Sequence, residues 1–240
     1  FSQTFPMIYT LKYHTTAAAN MSTEWIGPRM YRPSLSEVVL GSLVNVTPNI
    51  HYVTHFRYPT RGGFMSFIHP FADPAKSRFN HRLVRLRPKD QTLEFANGAT
   101  FSYDGVVSSI PLPDLIPLIE GAPKDVAEAA EKLACTTCVL VNIGVARPDI
   151  SDVHISYFYD PDIVFTRASF PYKMSPHNAP AGTPSIQTEI YGSKKYKPID
   201  KDPDEYIQPV IDDLIRCGLI EAGDAILEKR AMKLDYANII

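Results

Sequence analysis

Residues 137–145 read Thr-Cys-Val-Leu-Val-Asn-Ile-Gly-Val, and this stretch decides the predicted fold class. It is rich in β-branched residues and carries no charge, which is typical of a strand buried in a sheet. Similar stretches follow at residues 153–159, 163–170 and 185–191. Clusters of Pro, Asp, Gly and Asn separate them, so the chain favours an antiparallel sheet.

Two amphipathic helices are predicted beside this sheet. Residues 123–133 start with Pro123, which suits the first turn of a helix. Residues 203–217 carry a wider apolar stripe, and Gly218 is a natural stop after it. The stripe consists of Ile207, Val210, Ile211, Leu214 and Ile215. A final strand is predicted at residues 226–236.

The preceding region predicts a strand meander. Residues 82–86 and 92–95 alternate in polarity, and Asn97-Gly98 is a strong hairpin signal ahead of residues 100–103. Residues 105–110 (GVVSSI) predict a buried strand closed by prolines. These elements together predict an α+β fold with a mixed, largely antiparallel sheet and covering helices.

The first 78 residues carry weaker signals. Ser34 and Glu37 have the spacing of a capping box, so a helix is predicted at residues 34–43. Another helix is predicted around residues 22–29, an extended segment at residues 51–58 and a short helix at residues 64–71.

Composition narrows the class of protein. The chain has 240 residues, of which 45% are hydrophobic and 21% are charged, as in ordinary globular proteins. A formal charge of −2 gives no global field that attracts nucleic acid. We find no run long enough for a transmembrane helix. Three cysteines make no disulfide framework, which favours a reducing, cytoplasmic location.

Metal and phosphate motifs are missing from the sequence. Cys135 and Cys138 have CxxC spacing, but no second pair or paired His follows, so we interpret them as core thiols and predict no metal. There is also no GxGxxG or GxxxxGK[ST] loop to cradle a phosphate.

Two regions offer candidate cofactor contacts. Gly62-Gly63 allows positive φ and removes both Cβ atoms, so a flat ring or phosphate could approach the backbone. A helix starting at Phe64 would aim N–H groups at negative charge, and Arg61 could pair with an anion. A plain tight turn is the alternative. Ser109 and Pro111 close the predicted strand, where they either line a cleft or simply end it.

Arg167 is the candidate substrate contact. It alternates with Phe165 and Ser169 on one face of a predicted strand. With Tyr157 and Tyr172 nearby, it could clamp a carboxylate or diphosphate. The alternative is an ion pair, with Glu189 as the partner.

Several segments occur in the order found in one family. These are Phe5-Pro6 with Tyr9 and Lys12, then Glu24-Trp25 with Arg29, then Tyr58-Pro59 with Gly62-Gly63, then Asp104 to Pro111, and finally Tyr157 to Asp160, Phe165 to Arg167 and Ser175-Pro176. The series resembles the flavin amine oxidase and protoporphyrinogen oxidase-like enzymes, in particular their UDP-galactopyranose mutase-like members.

The resemblance implies an internal substrate-domain fragment of an FAD-dependent oxidoreductase, with its dinucleotide-binding unit missing. FAD would be held mainly by segments absent from this chain, with Arg61, Gly62, Gly63, Ser109 and Pro111 as further contacts. The boundaries implied are residues 1–78 for an aromatic, helical cap, 79–111 for a meander adjoining the FAD domain and 112–240 for a substrate-binding domain. The isolated fragment is expected to be inactive.

The cofactor carries the difficult step in such enzymes, so the resemblance assigns no catalytic side chain. The implied partner is a small-molecule substrate, held by Tyr157, Arg167 and Tyr172. A flavin-dependent sugar-nucleotide mutase of cell-surface polysaccharide biosynthesis is one alternative. A non-catalytic module that binds carbohydrate or protein is another, and the oligomeric state stays open.

Overall fold

A computed structural model describes residues 3–24, 31–44 and 55–240. The α-helices of this part of the chain are α1 (Pro6–His14), α2 (Leu35–Leu43), α3 (Leu112–Leu115), α4 (Lys124–Lys132), α5 (Pro171–Met174) and α6 (Ile207–Arg216). The strands are β1 (Leu83–Arg87), β2 (Thr92–Phe95), β3 (Thr100–Ser102), β4 (Thr137–Val145), β5 (Ile155–Tyr157), β6 (Arg167–Ser169), β7 (Ser185–Gly192) and β8 (Ile226–Leu234).

A five-stranded antiparallel sheet in the order β5-β6-β7-β4-β8 forms the centre of the fold. One face of β4 carries the residues Val139, Val141, Ile143 and Val145, which are all 1% exposed or less. They form one core cluster with the apolar stripe of α6, including Val210 and Leu214. The predicted α+β architecture is therefore confirmed, and β4 has the predicted bounds.

The opposite face of the same sheet is polar. Because side chains alternate along a strand, Asn142 on β4 points away from the core. It pairs in register with Gln187 on β7, whose other partner is Ser169 on β6. Arg167 on β6 and Glu189 on β7 are also paired in register. This face supplies the floor of the site described below.

A separate three-stranded sheet, β1-β2-β3, forms the predicted meander. The hairpin signal is confirmed, since Gly98 has a φ of +84° and Asn97 Oδ1 accepts the backbone N–H of Ala99 at 3.0 Å. The helix at Leu35–Leu43 is also confirmed. Ser34 and Glu37 form the predicted capping box at its start.

The predicted strand at residues 105–110 is wrong. No residue of that stretch belongs to a strand, and Val107 is fully exposed at 103%. An apolar run predicts burial, but nothing within the described residues covers this one or pairs with its backbone. The prediction for residues 163–170 was correct on burial but too long, since only Arg167–Ser169 form a strand.

The predicted short helix at residues 64–71 is a pair of 3₁₀ segments, Phe64–Phe67 and His69–Phe71. Such short turns carry little aligned dipole, so they give little support to the expected attraction of anions by a helix start. The predicted helix at residues 22–29 and strand at residues 51–58 lie partly outside the described residues. Their described parts, residues 22–24 and 55–58, contain neither element.

Of the two cysteines interpreted as core thiols, Cys138 is buried, whereas Cys135 is only partly buried. Cys138 is 2% exposed, and burial raises the pKa of its thiol to about 12. Within residues 3–24, 31–44 and 55–240, no group of three or more His, Cys, Asp or Glu side chains could hold a metal ion. Among the same residues, no helix is long and apolar enough to cross a bilayer.

Gly192, at the end of β7, leaves no room for a side chain. A Cβ there would lie 2.7 Å from the Lys197 carbonyl oxygen and 2.6 Å from Ile199 Cδ1. We expect Gly192→Ala to lower the free energy of unfolding by about 1–3 kcal/mol, because backbone must move to relieve the overlap. Urea unfolding measures this, with Gly223→Ala as the control, since nothing lies within 4 Å of its added Cβ. Equal losses in both variants would contradict the overlap.

Candidate active site

A cavity of about 620 Å³ lies between the polar face of the large sheet and the segment that carries Gly62-Gly63. Tyr58 and Phe64, on either side of the glycine pair, line it opposite the strands. The remaining lining residues are Asn142, Ile155, Arg167, Ser169, Pro171, Met174, Asn178, Ser185, Gln187 and Glu189. A space of this size is typical of small-molecule sites.

The glycine pair forms the predicted tight turn. Gly62 and Gly63 have φ values of +80° and +60°, which other residues adopt at a cost. The Ser175 hydroxyl donates to the Thr60 carbonyl at 2.5 Å, and Ser175 is itself buried. That bond fixes the turn against the segment that follows α5, while the Arg61 side chain stays exposed.

Arg167, Glu189 and Tyr191 form a bonded row on the floor. Arg167 Nη2 and the Tyr191 hydroxyl each donate to a different Glu189 oxygen at 2.5 Å. Burial alone would lower the pKa of Arg167, but the bond to Glu189 outweighs it and the pKa is raised. Burial and the same carboxylate raise the pKa of Tyr191. Arg167 therefore stays charged, and Tyr191 stays protonated.

Helix α1 (Pro6–His14) adds an aromatic wall beside this row. Tyr9 meets Tyr157 edge-on with ring centroids 5.9 Å apart, and Tyr13 meets Tyr191 at 4.5 Å. Burial is the main cause that raises the pKa of Tyr9, and its neighbours Tyr13 and Tyr157 raise this pKa further. With their pKa values raised, Tyr9 and Tyr191 can donate hydrogen bonds but are not bases near neutral pH.

The structure brings some of the predicted residues together and separates others. Tyr157 pairs in register with Arg167, beside the cavity. Tyr172 instead packs against the hydrophobic core, and its hydroxyl donates to Asp149 at 2.5 Å. Ser109 lines a cleft of about 830 Å³ along the meander, and Pro111 lines a third cavity. Neither one lines the cavity beside Gly62-Gly63.

Sequence reasoning missed the amide side chains of the floor. Asn142 is a polar residue in the apolar run of β4, and Gln187 lies opposite it on β7. Gln187 Nε2 donates to Asn142 Oδ1 at 2.8 Å. Alternation along β4 could have shown that Asn142 faces away from the core, but no sequence signal gives the register with Gln187.

Comparison with known proteins identifies the family of this fold. Residues 17–228 match the model of the flavin-containing amine oxidoreductases. The chain belongs to this family. Among curated proteins, none matches the sequence.

One solved structure shows the same fold over nearly the whole chain. A UDP-galactopyranose mutase in its reduced form is similar with a TM-score of 0.89 and 22% identity, over 98% of this chain and 52% of that one. This chain thus spans about half the length of that mutase. A Pyrococcus furiosus protein (13% identity, 63% and 36% coverage) and a fatty acid isomerase from P. acnes (16%, 65% and 35%) each reach a TM-score of 0.47.

Family membership confirms flavin, as FAD, as the predicted cofactor class, and the described residues fit part of that group. The turn at Gly62-Gly63 has positive φ and no Cβ atoms, and its neighbours Tyr58 and Phe64 line the cavity, so a flat ring could approach its backbone closely. The sequence contains neither of the glycine-rich motifs, GxGxxG and GxxxxGK[ST], that form a diphosphate-binding loop. In this flavin-containing amine oxidoreductase chain, the Gly62-Gly63 turn could contact the ring end of FAD.

Lys12 on α1 is expected to make the free energy of unfolding depend on pH. Its Nζ donates to the Asp160 carbonyl at 2.8 Å, and burial lowers its pKa from 10.5 to about 8. Between these values the unfolded chain binds more protons at this site than the folded chain does, so the free energy of unfolding rises with pH.

Lys12→Met should remove this contribution. Urea unfolding between about pH 7.5 and pH 9.5 should show wild type gaining stability relative to the variant as the pH rises. Lys124→Met is the matched control, because its side chain is 90% exposed and should leave the pH slope unchanged. A difference between wild type and Lys12→Met that is constant with pH would count against the lowered pKa.

Proposed function

We propose that this chain is the substrate-facing part of an FAD-dependent oxidoreductase. The observation that carries the proposal is the cavity between the Gly62-Gly63 turn and the polar face of the sheet. Tyr58 and Phe64, on either side of that turn, line the same cavity as Arg167 and Glu189, which supports the proposal. A substrate in this cavity would lie between the ring and the strands.

The residues of this chain would bind and orient the substrate rather than exchange protons with it. Arg167 is held by Glu189, and the raised pKa values of Tyr9 and Tyr191 keep both hydroxyls protonated. The bound flavin would supply hydride acceptance. The aromatic wall and the turn would exclude water from the face where the ring lies. Tyr157, next to Arg167, would contact the substrate.

Activity would need the parts of the enzyme that hold the rest of FAD. Arg61, Gly62 and Gly63 would contact the ring end, whereas Ser109 and Pro111, which line other cavities, would contact the cofactor only through a surface completed by other segments. The isolated chain is therefore proposed to be inactive, in a soluble, cytoplasmic enzyme that acts on a small molecule.

A flavin-dependent sugar-nucleotide mutase is the second candidate. It is favoured by the likeness to UDP-galactopyranose mutase, which extends over 98% of this chain at a TM-score of 0.89. A mutase would use the same cavity, but its reaction would cause no net reduction of the flavin.

Visible absorption tests the proposal and separates the two candidates. The enzyme containing this chain should retain flavin bands after purification, and a colourless enzyme that does not take up FAD would overturn the proposal. Anaerobic addition of substrate should bleach the bands if the enzyme is an oxidoreductase. Product formation by the prereduced enzyme, without net oxidation of its flavin, would instead identify a mutase.

A further inference from the structure

A second cavity, separate from the candidate active site, lies where residues 111–113, 133–135 and 236–239 meet. It has a volume of about 340 Å³ and shares no lining residue with the cavity beside the Gly62-Gly63 turn. Among the described residues that line it, none is charged, and Asn238 is the one amide among prolines, alanines, aliphatic residues, a cysteine and a tyrosine. This lining suits an apolar ligand.

Paired backbone groups hold the walls of this cavity in place. The Thr136 amide donates to the Asn238 carbonyl at 2.7 Å, and the Ala237 amide donates to the Thr136 carbonyl at 2.8 Å. The Ile240 amide donates to the Ala134 carbonyl at 3.0 Å. Because these backbone groups are already bonded to one another, the side chains decide what the cavity can bind.

Three large aliphatic side chains around this cavity remain in contact with water. Leu112 is 55% exposed, Leu133 is 48% exposed and Ile239 is 87% exposed. All three line the same cavity, so their exposed surfaces are clustered rather than scattered. Clustered apolar surface of this kind marks a place where a partner or ligand binds.

Two lysines place ammonium groups at the edge of this apolar surface. Lys194 Nζ lies 5.3 Å from the ring centroid of Tyr236, which lines the cavity. Lys195 Nζ donates to the carbonyl of Lys132 at 3.1 Å, directly before the lining residue Leu133. Within the part of the chain that the structure describes, neither ammonium group forms an ion pair with a carboxylate. Both can therefore pair with an anionic group of a ligand.

The charges beside the cavity favour one position for such a group. Burial raises the pKa of the Cys135 thiol and Lys194 lowers it, so the ammonium group acts on a side chain of the lining. Asp114 accepts a hydrogen bond from the hydroxyl of Tyr236, at the other end of the ring from its backbone. An anionic head group would meet Lys194 and Lys195 and avoid Asp114.

We propose that this cavity binds a single acyl chain that ends in a carboxylate. The chain would lie against Leu112, Leu133 and Ile239, and the carboxylate would lie beside Lys194 and Lys195. The apolar lining and the ammonium groups together select this class of ligand. An amine would be repelled by the lysines, and a free phosphate or a sugar would leave the aliphatic side chains in water.

Titration of the purified protein with octanoate, followed by amide chemical shifts in NMR, tests the assignment. We expect shifts confined to residues 111–113, 133–135, 194–195 and 236–239. Octanol carries the same chain without a charge, and octyltrimethylammonium carries it with the opposite charge. The ammonium compound should bind about tenfold more weakly than octanoate.

Two variants separate the head group from the chain. Lys194→Met should weaken octanoate binding by about threefold to tenfold and change octanol binding by less than about twofold. Ile239→Ser should weaken the binding of both ligands by about threefold to tenfold, because it removes apolar contact. Both replaced side chains are exposed, so the variants should fold. Lys89→Met, in the exposed turn between β1 and β2, is the matched control and should leave both affinities unchanged.

Unchanged octanoate affinity in both variants, or shifts at other residues, would overturn the assignment. Equal binding of octyltrimethylammonium and octanoate would overturn it too. Binding to vesicles that contain phosphatidylglycerol without binding of octanoate would assign the surface to a membrane instead. A dimer that Ile239→Ser dissociates, again without octanoate binding, would assign it to a second copy of the chain. Because none of these measurements involves flavin, their failure is distinct from failure of the proposed function.

Discussion

Glu189→Ala is expected to lower the free energy of unfolding by about 3–5 kcal/mol, because it leaves the partly buried Arg167 cation without its ion-pair partner. The Glu189 side chain is 8% exposed and that of Arg167 is 27% exposed. Removing the carboxylate leaves the guanidinium without its partner and also leaves the Tyr191 hydroxyl unpaired. Urea denaturation with tryptophan and tyrosine fluorescence measures the change.

Two variants make this expectation specific to burial. Glu221→Ala also removes an ion-pair partner of an arginine, Arg147, but its side chain is 79% exposed, so its loss should stay below about 1 kcal/mol. Arg167→Met combined with Glu189→Leu removes both charges and should recover much of the loss. If Glu189→Ala cost no more than Glu221→Ala, the buried pair would not stabilise the fold.

Regular periodicity allowed the large elements to be predicted from the sequence. The alternating β-branched run of β4 and the apolar stripe of α6 each indicate one buried face. Each element is long enough for its period, about two residues for the strand and about 3.6 for the helix, to be recognised. The bounds Thr137–Val145 were recovered for this reason. The strand prediction for residues 105–110 was wrong because an apolar pattern indicates that a segment tends to be buried, but it does not identify the element that buries it.

The candidate site was only partly predictable. A glycine pair permits positive φ, so a tight turn at Gly62-Gly63 was one of the alternatives that the sequence offered, and the structure has that turn. The ion pair of Arg167 with Glu189 was one of two alternatives, and only the register of β6 against β7 selects it. Tyr172 was grouped with Arg167 by its position in the sequence, whereas its side chain packs against the core and bonds to Asp149. Sequence spacing does not fix which face a residue after a strand will present.

A second large loss of stability is expected when Phe165 is replaced, because this residue connects the hydrophobic core with the candidate site. Phe165 is completely buried and packs edge-on against Phe158 with ring centroids 4.8 Å apart. The next residue, Thr166, bonds through its backbone to Phe158 and to Glu189, both at 2.8 Å. Phe165 therefore holds the segment that leads into Arg167.

Phe165→Ala should cost about 3–5 kcal/mol, from lost burial and from the cavity left behind. For a chain of this size that corresponds to a fall in Tm of about 6–20 °C. Phe71→Ala, at a position 85% exposed, makes the same chemical change without a cavity and should shift Tm by no more than about 2 °C. Because Thr166 bonds to Glu189, Phe165→Ala should also speed hydrogen exchange of the Thr166 amide. A large Tm loss with that exchange unchanged would mean that the core and the floor of the site are stabilised independently.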